Sequence, residues 1–148
     1  MKKAYIFDDR PLFYELISNE IRFPYFESMI DRDESLYYGQ GDHIFYMHTG
    51  KVIYFPPCID DKQIMFLAEI KNIFHKHKTN YKIIINPLYD QIGLNPDDLE
   101  YLCELFGKEN VFDFSGINEF TNDYRNYYEP SHYRPHVARK IMEKIYKK

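Results

Sequence analysis

The chain has 148 residues, 45% hydrophobic and 18% aromatic, with 15 Tyr, 12 Phe and no Trp. Such a length and composition excludes a disordered tract and suits one α/β domain with an aromatic-rich core. Net charge is -4 and the basic residues are scattered apart from Lys140, Lys144, Lys147 and Lys148, so there is no footprint for nucleic acid, which is not an expected partner.

Two cysteines, Cys58 and Cys103, are too few and too far apart for a disulfide framework or a metal site, and both are expected to be buried thiols. The opening Met1-Lys2-Lys3-Ala4-Tyr5-Ile6-Phe7 begins like a secretion signal. Asp8, Asp9 and Arg10 interrupt its apolar run, so neither a targeting nor a membrane segment is expected and the chain as given reads as soluble.

In chain order, residues 3–7 read as a short strand. Leu12 to Ile21 is expected to form a helix, with Leu12, Leu16 and then Asn19 or Glu20 in successive turns and Phe13, Tyr14 and Ile17 widening its apolar face. The span 23–41 is aromatic, charged and aperiodic, contains Pro24 and two glycines, and is expected to be an irregular surface segment. His43–His48 and Lys51–Phe55 flank Thr49-Gly50 as either a hairpin or a bulged continuation, and Pro56-Pro57 stops the second strand. Residues 1–50 thus form an irregular, aromatic-rich part ahead of a more regular 51–148.

From Asp60-Asp61 the pattern sharpens. These acids cap a predicted helix running to about His77, with Ile64, Leu67, Ile70 or Lys71, and Phe74 along one side. Tyr81–Ile85 is a nearly continuous apolar run, as in a buried parallel strand, and ends at Asn86-Pro87. Asn95 caps a third helix with Pro96 at its first position, a stripe of Leu99, Leu102, Cys103 and Phe106, and Gly107 beyond its end. Val111–Phe114 is the next strand, and Val137, Ala138, Ile141, Met142, Ile145 and Tyr146 draw the stripe of the last helix.

Alternating helices and strands build a parallel sheet covered on both faces, so the expected fold is a three-layer α/β/α sandwich in which strands 81–86 and 110–114 are parallel neighbours. Ligands of such sheets sit beyond the carboxyl ends of the strands, where Asn86, Pro87, Tyr89 and Asp90 follow one strand and Ser115, Gly116 and Asn118 the next. The segment Asn126-Tyr127-Tyr128-Glu129-Pro130-Ser131-His132-Tyr133 returns to the same edge and places an acid three residues before a histidine. A carboxylate that orients an imidazole is the proton-transferring half of a hydrolytic triad. The structural alternative is a histidine that caps or packs against the last helix. Ser131 suits a turn or capping bond rather than attack. Tyr127, Tyr128 and Tyr133 suit either a sugar-lined cleft or packing. His75 and His77, two apart at a helix end, do not share a face, and His43 and His48 lie on a predicted strand pair. No metal site or cofactor is therefore expected.

Glu129-Pro130-Ser131-His132-Tyr133 resembles the last characteristic block of the SGNH, or GDSL-type, hydrolase superfamily, in which Asp-x-x-His before the final helix supplies acid and base. The strand ending in Asn86-Pro87-Leu88, Val111–Ser115, Asn118–Thr121 and Asn126–Tyr128 extend the likeness over roughly residues 50–148. They are similar to the C-terminal half of bacterial envelope-associated members, including those akin to the D-alanine-transfer protein of lipoteichoic acid modification. The resemblance implies a flavodoxin-like fold in incomplete form, His132 as general base, Glu129 as its acid, and Asn86, Tyr89, Ser115, Asn118 and Tyr133 around the substrate. It also implies a glycan or envelope acyl ester as substrate, and a parent protein of the cell envelope or periplasm.

The chain departs from the family in two ways. Glutamate stands where the family has aspartate, a shift of the carboxylate by roughly 1 Å or more. No Gly-x-Ser-x-Gly or Gly-Asp-Ser occurs, and Phe7-Asp8-Asp9-Arg10 follows the first strand where the nucleophile belongs. The implied protein is a fragment or degenerate esterase or acyltransferase that is inactive alone and lacks an N-terminal half. The alternative is a non-catalytic binding or partner-interaction module that uses the strand-end cleft or the aromatic segment 23–46 as its contact surface.

Overall fold

The computed structural model describes residues 13–17, 20–39 and 45–146. The chain divides into two compact units, residues 1–46 and 47–148. The expected strand at 3–7 and the Phe7–Arg10 segment lie outside the described residues.

In the first unit, β1 (Phe13–Glu15) and β2 (Glu20–Arg22) pair antiparallel with Tyr14 opposite Ile21, replacing the helix expected over 12–21. The polar Asn19 and Glu20 interrupt the helical stripe, whereas an aromatic facing a β-branched residue suits a pleated pair. The irregular segment expected over 23–41 is also corrected. It holds α1 (Pro24–Arg32) and α2 (Glu34–Gly39). Pro24 starts its helix rather than breaking one, because its missing N–H falls where no intrahelical partner exists. Asp33 Oδ1 accepts from Leu36 N at 2.8 Å and so stabilises the start of α2. Ile30 and Tyr38 are buried. Tyr38 sits edge-on to Tyr37 at 5.0 Å and against Phe45 at 5.8 Å, and Phe26 is 6.5 Å from Tyr37. Aromatic contacts of this kind stand in for the periodic stripe that the sequence lacks.

The second unit mixes helices with short parallel strands. The expected pair of strands around Thr49-Gly50 is not formed among the described residues: 45–52 carry no regular structure, and β3 (Ile53–Tyr54) pairs in parallel with β5 (Ile92–Gly93), a strand the sequence reading missed. Gly93 permits this approach, because a Cβ there would meet the Tyr54 ring at 2.8 Å. As predicted, β4 (Ile83–Ile85) runs parallel to β6 (Val111–Asp113), with Ile84 beside Phe112.

The helices follow their capping signals. For α3 (Asp61–Lys76), the Asp60 carboxylate accepts from the amides of Lys62 and Gln63. For α4 (Pro96–Phe106), Asn95 Oδ1 accepts from Asp97 N at 2.9 Å. Gly107, at φ 88°, then ends the helix in a conformation open to glycine. The last helix, α5 (Pro135–Tyr146), buries Val137, Ile141 and Ile145 with Phe120 against Ile84 and Phe112. Each fully buried aliphatic there stabilises the fold by about 1.5–3 kcal/mol relative to exposure. Met142 and Tyr146, assigned to that stripe from sequence, lie at its exposed margin.

The pair of buried thiols is a further correction, since Cys58 is exposed and Cys103 half-buried. Cys58 follows Pro56-Pro57 in a segment without regular structure, and Cys58 N and Ile59 N donate to the buried Asp98 carboxylate at 2.8 and 3.2 Å. The Asp98 hydrogen bond raises the Cys58 thiol pKa, with burial and the carboxylate charge adding to it. No helix among the described residues is long and apolar enough to cross a membrane.

Candidate active site

The segment expected as a loop before α5 is a β-hairpin. β7 (Tyr127–Glu129) and β8 (His132–Tyr133) pair antiparallel, with Glu129 opposite His132 across the two turn residues Pro130 and Ser131. That register forces the acid and the imidazole onto neighbouring positions, and the His132 ring Nδ1 hydrogen-bonds Glu129 Oε1. With a carboxylate as acceptor, Nδ1 carries the hydrogen and Nε2 is the basic nitrogen. The second carboxylate oxygen accepts the Ser131 backbone N–H at 3.0 Å, so Glu129 also closes the turn. The pair faces solvent, with 63% of the His132 side chain and 40% of the Glu129 side chain accessible.

Three contacts tie this hairpin to the segment after β4. Tyr133 donates its hydroxyl to Asn86 Oδ1 at 3.1 Å, Tyr127 donates to the Pro87 carbonyl at 3.1 Å, and Tyr89 N donates to the Pro130 carbonyl at 3.0 Å. The structure therefore brings Glu129, His132, Tyr133, Asn86 and Tyr89 into one cluster at the carboxyl end of β4. Tyr127 and Tyr128 are buried and act in packing rather than as a cleft lining. Burial, with the Asp90 charge next in weight, holds the Tyr127 phenol protonated far above its ordinary range. Burial also raises the Tyr133 pKa.

Ser115 and Asn118 lie beyond the paired strand β6, where Phe114 N donates to the Ile85 carbonyl at 3.0 Å, but both are committed to the loop itself. Ser115 Oγ donates to Asp113 Oδ1 at 2.6 Å and accepts from Leu94 N at 2.8 Å. Asn118 Nδ2 donates to the Phe114 carbonyl at 2.7 Å, while its Oδ1 accepts from Phe120 N at 2.8 Å. These side chains organise the β6 exit, and their hydrogen bonds leave them poorly placed to meet a substrate.

One neighbour of the cluster escaped the sequence reading. His48 Nε2 donates to the Tyr89 carbonyl at 2.6 Å, and its ring lies 4.2 Å from the Tyr89 ring. Tyr89 thereby links a second imidazole to the hairpin turn. No signal in the sequence marks this link, which joins residues 41 apart through a backbone carbonyl. No group of three or more His, Cys, Asp or Glu side chains converges as a metal site among the described residues. No family model, curated protein or solved structure matches the chain.

Proposed function

We propose that the second unit is a degenerate or partial SGNH-like domain that contributes the acid and base half of an ester-processing site. The observation that carries the reading is the Glu129–His132 hydrogen bond, held on a hairpin at the carboxyl end of a parallel strand pair. In the proposed arrangement Glu129 orients the ring, Nε2 of His132 takes a proton from an attacking hydroxyl, and a glycan or envelope acyl ester is the substrate. In this reading the complete domain is a three-layer α/β/α sandwich, with α5, whose Val137 and Ile141 pack with Ile84 and Phe112, covering one face of its sheet.

Neither serine among the described residues of the second unit is placed to supply the attacking hydroxyl. Ser115 is engaged by Asp113 and Leu94, and Ser131 is adjacent in chain to His132 with its backbone turned into Glu129. The expected result with a panel of short acyl esters and a serine-reactive phosphonate is therefore no turnover and no labelling. Joining the chain to an SGNH N-terminal half that carries Gly-Asp-Ser is expected to restore hydrolysis with the wild type but not with His132→Ala. Equal activity in both fusions would remove His132 from the chemistry.

A second reading, a partner-binding module, is favoured by a separate observation. Val52, Ile53 and Tyr54 around β3, and Phe66, Ile70 and Ile73 along α3, are exposed although helix and strand faces of this kind are ordinarily covered. Under this reading the Glu129–His132 pair only closes a turn. The fusion assay separates the two.

A further inference from the structure

At the opposite end of β4 from the hairpin, a cavity of about 490 Å³ opens between the end of α3 and the segment entering the strand. Its walls carry Lys71, His75 and Lys78, and no acid is among its lining residues. Its floor is aromatic, with Phe74 stacked on Tyr81 at 4.6 Å and 27°. Lys71 is half-buried, donates to the Tyr81 hydroxyl at 2.7 Å, and lies 5.4 Å from that ring's centroid. The Tyr81 hydroxyl in turn donates to the Phe106 carbonyl at 3.0 Å, which fixes the phenol and so the ammonium resting on it.

Two lysine ammoniums and the His75 ring line this cavity without a carboxylate beside them. None of Lys71, His75 and Lys78 pairs with a carboxylate among the described residues. A partly desolvated ammonium is ordinarily matched by an anion. The end of α3 is an unfavourable place for an anion because of its exposed carbonyls, but here they are occupied: Ile73, Phe74 and His75 accept from His77, Thr79 and Lys78 at 2.9 to 3.1 Å. Lys78 adopts φ 51°, a left-handed backbone conformation just beyond the end of α3.

We propose that this cavity binds a small molecule bearing a phosphate group, with the Lys71 and Lys78 ammoniums and a ring N–H of His75 holding the oxyanion and the organic part lying on the Phe74 and Tyr81 rings. Lys71 retains two N–H donors beyond the one given to Tyr81, and charge-assisted bonds to phosphate are the strong class. The site is separate from the Glu129–His132 hairpin and does not depend on any ester chemistry there.

The test is a titration of the full chain followed by backbone amide shifts, using inorganic phosphate, phenyl phosphate and phenol. Saturable shifts confined to residues 78–81 and their neighbours are expected, with phenyl phosphate binding about tenfold more tightly than inorganic phosphate through the aromatic floor. Lys71→Met and Lys78→Asn are each expected to weaken phenyl phosphate about tenfold. Asparagine tolerates the left-handed backbone at 78, and that position is exposed, so this variant keeps its fold even if Lys71→Met does not. Linear shifts without saturation, shifts centred elsewhere, or affinity unchanged in Lys78→Asn would overturn the proposal. Phenol binding as tightly as phenyl phosphate would do the same.

Discussion

Tyr133 donates its hydroxyl to Asn86 Oδ1 across a sequence separation of 47, joining the hairpin that carries His132 to the exit of β4. The bond sets where the Glu129–His132 pair stands relative to the parallel strands, because β8 has only two residues and Tyr133 is its last. Tyr133→Phe is expected to lower stability by about 0.5–1.5 kcal/mol, the usual net worth of such a bond. A double-mutant cycle with Asn86→Ala, read by chemical denaturation, should give a coupling of about 0.5 kcal/mol or more; additive single effects would show that the two side chains do not act together.

Glu129 is expected to govern the tautomer of His132 more than the stability of the fold. Nitrogen NMR of the imidazole should find hydrogen on Nδ1 in the wild type and a mixture of tautomers in Glu129→Ala. Both partners are substantially exposed, so the accompanying loss of stability should stay within about 1 kcal/mol. A larger loss would mark the pair as a main tie of the hairpin.

The second unit was legible where local chemistry and tertiary need coincide. Asp60 and Asn95 cap helices, Gly107 ends one, and the apolar run before Asn86 makes a strand parallel to 111–113, each as read from the residues. The acid-to-histidine spacing also foretold a contact, though the agent is a two-residue hairpin rather than a loop, because a register of Glu129 against His132 needs only Pro130 and Ser131 between them. The first unit was not legible. Its helices are held by Phe26, Tyr37, Tyr38 and Phe45, whose spacing follows no helical period, and its hairpin takes a stretch whose apolar residues suit a helix face equally well. The two-residue β5 is too short for any periodic signal, and Gly93 declares itself only beside the Tyr54 ring.

Asp98 should make the second unit sensitive to acid. Burial pushes its pKa up, but the hydrogen bonds from Cys58 and Ile59 outweigh that and leave it below the ordinary carboxylate value. A folded pKa below the unfolded one means the unfolded chain binds the proton first, so the stabilisation is complete at neutral pH. It fades as pH falls below about 4. Asp98→Ala leaves the Cys58 and Ile59 amides without their acceptor and is expected to cost about 1–2 kcal/mol at pH 7. The difference between wild type and variant should shrink toward pH 3 in denaturation measurements. A difference that stays constant across this range would separate the stabilisation from the charge.

At the other end of the pH scale the hairpin should fail through Tyr127. Its side chain is fully buried and donates to the Pro87 carbonyl, and burial with the nearby Asp90 charge raises the phenol pKa well above its ordinary value of about 10. A phenol is neutral when protonated, so the folded state keeps the proton to higher pH than the unfolded chain does. Above about pH 10 the unfolded state binds fewer protons, and stability falls with rising pH. Tyr133, shifted in the same direction by burial, adds to the slope. Tyr127→Phe is expected to lose about 1 kcal/mol at pH 7, where the Pro87 carbonyl loses its donor, yet to fall less steeply between pH 9 and about 11. The two curves of unfolding free energy should therefore converge as pH rises. Parallel curves would place the alkaline transition on other groups and leave Tyr127 with a packing role alone.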